Sequence, residues 1–297
     1  MKISVLSPVY NEQTHLPEML DSLKAQTHED WEVLFVDDGS TDDTVQVIRQ
    51  AAEADPRFRL VAHGEKFGKA KAFNMAFEAS CGDAVVLLAG DDRLPQDSLA
   101  VRAADIATCV PGDLGLAAYK LRSFSEDAEF DGMELPRGDA TSASGGVLTF
   151  TRELADLVFP IPESLPSEDI WLGFAGPALT RRYIRNPVVV LEYRIHGGNS
   201  NPRGRDFETM SASIAPRHEA WRLLLEQERF LLPAEDRVHL DALYSAEKSR
   251  RQGNVLGVLT QRGLSKAERG SLAAMSDPRL WSLRQRFYKI LSGRQGR

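Results

Sequence analysis

Cysteine is scarce. The 297 residues hold two, Cys81 and Cys109, and these form no Cys-x-x-Cys pair. So sparse a set excludes a disulfide framework and a structural zinc site, and it fits a reducing compartment. Long apolar runs are also missing: no stretch nears the ~20 apolar residues of a membrane-spanning helix. The first apolar run is cut short by Pro8, too early for the core of a secretion signal. The expectation is a cytoplasmic protein, peripheral at most at the inner face of a membrane. Neither Gly-x-Gly-x-x-Gly nor a P-loop is present, so the two commonest glycine-rich phosphate cradles are excluded. Internal repeats and low-complexity segments are absent as well. Hydrophobic residues make up 42% of the chain, enough for a sizeable core.

Charge is unevenly spread about a net −7. Residues 1–204 are acidic on balance, whereas residues 205–297 carry 17 Lys and Arg against 11 Asp and Glu. From Arg250 onward there are 11 basic residues and 2 acidic ones. That tail is either a surface for an anionic partner or a set of solvated helix faces. No nucleic-acid partner is expected.

The most informative stretch is 84–93. Six largely apolar residues, from Ala84 to Ala89, run into Gly90 and then into Asp91 and Asp92. A run with no polar alternation reads as a strand buried on both faces. Earlier, 3–7 and 31–36 read as strands, 14–26, 44–54 and 68–80 as helices, and 57–62 as a short strand. Strands alternating with helices of a dozen residues predict a parallel α/β sheet with right-handed crossovers. Two of its strands end in acidic turns, Asp37-Asp38 and Asp91-Asp92. Open α/β sheets bind ligands at the carboxyl edge of their strands. Adjacent carboxylates there suit a hard divalent cation, Mg²⁺ or Mn²⁺, on a phosphorylated ligand. A solvated turn is the plainer reading of either pair alone.

The segment Ser4-Val-Leu-Ser-Pro-Val-Tyr-Asn-Glu12, followed by Trp31-Glu-Val-Leu-Phe-Val-Asp-Asp-Gly-Ser-Thr-Asp-Asp-Thr44, resembles the opening of the family 2 inverting glycosyltransferases of GT-A fold. The resemblance continues through Gly68-Lys-Ala-Lys-Ala-Phe-Asn74 and Asp91-Asp92 to about Ser200. It implies that Asp38 contacts the nucleotide base, where a carboxylate can accept the imide N–H of uracil. It places Pro8, Tyr10 and Glu12 on the loop lining base and ribose, although Pro8 also reads as part of a simple strand-ending turn. It implies that Asp92 coordinates a metal on the diphosphate, with Asp91 near the ribose or the metal. Two positions depart from the pattern: Ala89 stands where many members carry another Asp, and Phe73 where many carry Arg. Lys69 and Lys71 could meet phosphate, but helix-surface lysines are the plainer reading.

Further along, 94–107 reads as a helix, 114–119 as a strand, 123–140 as an acidic loop or hairpin, and 152–158 as a helix. Gly145 and Gly146 would let backbone approach a sugar. Ser167 is a candidate helix cap before Glu168-Asp169. By resemblance Asp169 is the catalytic base; read alone, the pair would be first-turn helix acids favoured by the dipole. Inverting transfer needs one carboxylate to take the acceptor proton. It needs no second acid when a metal neutralises the leaving diphosphate. The stretch Tyr193-Arg-Ile-His196 resembles the family's closing motif, with Arg194 near phosphate or the Asp cluster and His196 on the metal or diphosphate. Gly197-Gly198 fits a flap over the donor.

The implied organisation is a GT-A-like α/β domain over 1–204 and a helical extension over 205–297. The extension's helices are expected at 210–230, 234–248 and 280–291. Leu280, Leu283, Phe287 and Leu291 could line one face of the last, against anionic lipid, the rest of the protein or a second copy in a homo-oligomer. The implied activity is metal-dependent, inverting transfer of a sugar from a nucleotide-sugar donor, expected to be UDP-linked, to a saccharide or lipid-linked acceptor in cell-surface polysaccharide or glycolipid synthesis. Two alternatives stay open: a sugar-phosphate nucleotidyltransferase and a non-catalytic sugar-nucleotide binding protein.

Overall fold

Strands form where the sequence offers no polar face to expose. All seven residues of β2 (Trp31–Asp37) are buried, and β1 (Ile3–Val9) and β4 (Ala84–Leu87) are nearly as enclosed. The computed structural model describes residues 1–196, 206–227, 230 and 232–292, with backbone alone at Arg217 and at 287–292. The expected flap at Gly197-Gly198 lies outside the described residues. The chain forms two compact units, Met1–His196 and Gly197–Arg297.

In the first unit one sheet of eight strands runs in the order β3-β2-β1-β4-β7-β5-β6, with β8 also paired to β5. The remaining strands are β3 (Phe58–Ala62), β5 (Gly115–Phe124), β6 (Glu134–Leu135), β7 (Leu148–Thr151) and β8 (Arg182–Arg194). The helices are α1 (Leu16–Lys24), α2 (Thr44–Ala54), α3 (Lys69–Glu78), α4 (Ser98–Ile106), α5 (Arg152–Val158) and α6 (Glu168–Leu179). The alternating order up to α4 is the expected parallel arrangement, with β3, β2, β1 and β4 all parallel. The acidic stretch 123–140 is a hairpin, closed by β6 pairing antiparallel to β5.

Topology decides which chain segments meet. β7 runs antiparallel to both β4 and β5, and β8 runs parallel to β5. The carboxyl ends of β1, β2, β4 and β8 and the amino end of β7 therefore share one edge. Asp37-Asp38, Asp91-Asp92, Arg194-His196 and Gly145-Gly146 are gathered there from across the sequence.

One expectation fails at β1. Pro8 lies inside the strand, paired in register with Val36, not in the turn after it. Leu6 O accepts from Leu88 N, so Pro8, two residues on, also faces β4. The last β4 partner of β1 is Leu6, so the donor that Pro8 lacks is not needed.

The second unit comprises α7 (Phe207–Glu226), α8 (Ala234–Arg251), α9 (Val255–Leu259), α10 (Lys266–Ala274) and α11 (Pro278–Ser292). α7 is capped by Asp206, whose carboxylate accepts from Thr209 N at 2.6 Å, and it stops at Glu226, short of the expected Phe230. α8 is anchored by a fully buried pair, Arg250 Nε to Glu247 Oε2 at 2.6 Å. On α11 the enclosed residue is Trp281, outside the expected Leu280–Leu283 face, and Leu283 is half exposed. Phe287 and Leu291, the rest of that face, lie outside the described side chains. Among the described residues no helix is long and apolar enough to cross a membrane.

Candidate active site

The two loops that follow β1 and β2 are stitched together by Asn11. Its backbone is left-handed, at φ 55°, a conformation that asparagine tolerates better than most residues. Asn11 N donates to Ser40 Oγ, and its own Oδ1 accepts from Thr41 N, both at 2.8 Å. The motif that holds Asn11 does not by itself reveal this stitching role. Its position before an acidic residue and after a strand was the available signal.

Asp38 is buried and strongly held. Its Oδ1 accepts from Phe67 N and Gly68 N, both at 2.7 Å, and its Oδ2 meets Lys66 Nζ at 3.1 Å. Lys66 also stacks over the exposed Tyr10 ring at 3.3 Å. Tyr10, Lys66 and Asp38 thus form one wall. Gly39, at φ 82°, makes this possible, since a Cβ there would lie 3.1 Å from Lys66 N. Asp37 is committed to the turn, with both carboxylate oxygens accepting from Ser40 N.

At the end of β4 the carboxylates crowd. Gly90 leaves room for Glu12, whose Cγ would lie 2.9 Å from a Cβ at that position. Burial first, then Asp91 and Asp42, push the Glu12 carboxyl up to about 7, with Arg194 opposing. Asp92 is likewise pushed well above the usual carboxylate range, by burial and then by Asp91. Its Oδ1 accepts the Arg194 N–H at 2.9 Å. The Arg194 guanidinium donates to Asp91 O and to Glu18, both at 2.8 Å, and rests on the Phe124 ring. Arg194 therefore meets the Asp cluster, one of its two expected positions.

His196 Nε2 lies 3.2 Å from Asp91 Oδ2, while Asp92 turns inward to the β8 backbone. Among the described residues no three His, Cys, Asp or Glu side chains form a ready-made metal-ligand group. A carboxylate beside an imidazole still fits a divalent cation in kind. Mg²⁺ sites commonly take one or two protein carboxylates and complete their shell with phosphate and water. Burial first, and then the neighbouring carboxylates, disfavour the charges of Glu12 and Asp92.

Asp169 stands on the first turn of α6, where Ser167 caps the helix by accepting from Asp169 N. Asp169 Oδ1 accepts from Gly145 N at 2.6 Å. A Cβ on Gly145 would come within 2.7 Å of that oxygen, so the glycine serves the protein's own carboxylate. Glu168 is buried and paired with Lys69 Nζ at 2.9 Å. Lys69 is thus not a plain surface lysine. Burial works against its charge, but Glu168, Asp169 and Asp91 outweigh burial and hold its pKa above the ordinary value. Helical position alone could not reveal this, because the partner lies a hundred residues away. Asn74, at the end of the same motif, is structural: it exchanges hydrogen bonds with the backbone of Ile161 at 2.9 and 2.7 Å.

Residues 4–108 match the model of glycosyl transferase family 2. A putative teichuronic acid biosynthesis glycosyltransferase of Bacillus subtilis is 36% identical over 97 residues, which is 33% of this chain and 38% of that one. The chain thus spans little more than a third of that relative's length. Among solved structures, residues 1–349 of TarS from S. aureus in complex with UDP-GlcNAc superpose with a TM-score of 0.62 at 17% identity, covering 100% of this chain and 93% of that one. A mannosyltransferase of Pyrobaculum calidifontis, in complex with GDP-Man and Mn²⁺, gives a TM-score of 0.62 at 20% identity, covering 97% and 79%. Over residues 4–108 the chain is thus similar to glycosyl transferase family 2, and its α/β fold is that of these solved structures, the GT-A type.

Proposed function

We propose that the first unit transfers a sugar from a nucleoside diphosphate donor to an acceptor hydroxyl with inversion. The observation that carries the reading is the division of acids along one sheet edge. Glu12, Asp91 and Asp92 crowd together with His196, while Asp169 stands apart on another element, and Lys69 feels the charge of both Asp169 and Asp91. In this reading Tyr10 and Asp38 take the base. A uracil imide N–H would donate to Asp38 Oδ2, the oxygen now shared with Lys66. Pro8, inside β1, holds the strand end from which Tyr10 and Glu12 project.

Asp91 and His196, backed by Asp92, would hold Mn²⁺ or Mg²⁺, which when bound offsets charge on the diphosphate. Arg194 keeps Asp91 and Asp92 in place. Asp169 takes the acceptor proton through Oδ2 while Gly145 N–H holds Oδ1. As the acceptor oxygen bonds to the anomeric carbon, the bond to the diphosphate breaks and the nucleotide leaves. A single carboxylate serves, in contrast to the two that flank the bond in glycosidases. The acceptor would be a saccharide or lipid-linked hydroxyl.

Calorimetric titration of UDP, GDP and dTDP, each with and without Mn²⁺, tests the donor half. One diphosphate should bind in a metal-dependent way, and binding should weaken in Asp91→Asn and His196→Ala. Asp169→Asn should bind the same nucleotide and lose turnover. Folded protein that binds none of the three nucleotides would sink the reading, and a non-catalytic binding protein would be indifferent to Asp169→Asn.

A further inference from the structure

Arg102 on α4 has no accessible surface. Burying a cation costs several kcal/mol unless something compensates it, yet among the described residues no carboxylate hydrogen-bonds to this guanidinium. Its donors go largely to one short stretch of backbone. Nη2 donates to Gly146 O at 2.8 Å, and Nη1 to Leu148 O at 3.0 Å and to Thr149 Oγ1 at 2.9 Å. Nε reaches Ser98 Oγ at 3.2 Å, and the Tyr119 ring lies 5.3 Å away. Burial lowers the guanidinium pKa to about 10, still far above neutrality.

The stretch it grips is the one that holds Asp169. Gly145–Val147 form a single 3₁₀ turn, followed directly by β7. Helical turns present N–H groups at their start and carbonyls at their end. Here the starting N–H, from Gly145, points to Asp169, and the carbonyls of Gly146 and Leu148 point to Arg102. Oriented peptides therefore run between a carboxylate and a buried cation. The turn has little freedom to slide. A Cβ on Gly146 would lie 2.8 Å from Leu191 Cδ2, as close as the Gly145 position lies to Asp169.

We infer that Arg102 is a positioning residue for Asp169, acting through the Gly145–Thr149 backbone, an inference that rests on the glycosyl-transfer reading above. Its role is to keep the Gly145 N–H on Oδ1, so that Oδ2 faces the acceptor. Asp169 also interacts electrostatically with Glu168 on the same helix and with Lys69 on α3, and neither is altered by changing Arg102.

The test uses the full chain and the variants Arg102→Met, Arg102→Lys, Thr149→Val and Asp169→Asn. Nucleotide release from UDP-GlcNAc and from GDP-mannose is followed with water as the acceptor, beside calorimetric Kd values for UDP and GDP with Mn²⁺. Arg102→Met should keep the nucleotide Kd within about twofold and lose roughly 10- to 100-fold in kcat, the scale of a misplaced catalytic group. Arg102→Lys should recover part of the loss. Thr149→Val, which removes one acceptor, should move kcat the same way by less, and it serves in place of Arg102→Met if that variant does not fold. An unchanged kcat, a parallel fall in kcat and affinity, or no recovery in Arg102→Lys would overturn the inference. Wild-type turnover in Asp169→Asn would instead overturn the transferase reading itself.

Discussion

Glu12 carries a charge that the pocket disfavours, and Glu12→Gln measures by how much. Its carboxyl is raised from an ordinary 4.5 to about 7, by burial and by Asp91 and Asp42. The folded state therefore holds the proton more tightly than the unfolded chain does. Below pH 4.5 both states are protonated and the site adds nothing. Between pH 4.5 and 7 the unfolded chain ionises first, and folding must increasingly bear an unfavourable charge. Above pH 7 the penalty is complete. A shift of this size corresponds to about 3 kcal/mol, and residual solvent contact reduces the usable difference to about 1–2 kcal/mol. Glu12→Gln removes the charge, so its stability relative to wild type should improve by that amount between pH 5 and pH 8. With a urea dependence of about 2 kcal/mol/M, the midpoint gap between the two proteins should widen by about 0.5–1 M. Packing changes in the variant cancel in the comparison across pH. Saturating Mg²⁺ at pH 8 should narrow the gap, because a cation at Asp91 and His196 relieves the same repulsion. A midpoint difference that is equal at pH 5 and pH 8 would refute the crowded-acid account.

Three further outcomes follow from named contacts. Gly145→Ala places a Cβ 2.7 Å from Asp169 Oδ1, so kcat should fall by about 100-fold while the nucleotide Kd measured by calorimetry holds. Lys69→Met strands the buried Glu168 and should cost about 1–3 kcal/mol in urea unfolding, discounted because Lys69 is half exposed; adding Glu168→Gln should recover most of it. Glu32 is buried and, despite the cost of that burial, is held down to about 2 by hydrogen bonds from Cys81, Ser4 and Lys2. Its stabilisation is present above pH 4.5 and is lost as pH falls toward 2. Glu32→Gln should therefore cost about 2–3 kcal/mol at neutral pH, and the gap to wild type in chemical denaturation should shrink by about half by pH 3.

Local pattern alone determined a good deal here. Unbroken apolar runs gave β2 and β4, helical spacing gave α1, α2 and α3, and a serine before two acids gave the cap of α6. Paired aspartates after parallel strands pointed to one edge, because parallel strands must end on the same side. What the sequence could not carry was any relation that depends on which distant segment closes the space. Pro8 was assigned to a turn because the pairing that ends at Leu6 on the β4 side is a property of the sheet. Lys69 looked like a surface lysine because Glu168 is far off in sequence. The inward turn of Asp92 onto the β8 backbone depends on a strand that lies a hundred residues away in sequence. The burial of Arg102 is invisible in sequence, since an arginine in an amphipathic helix is ordinarily solvated. Short-range spacing sets the elements and the chemistry of their ends; pairing, burial and charge arise between elements, and only tertiary structure decides them.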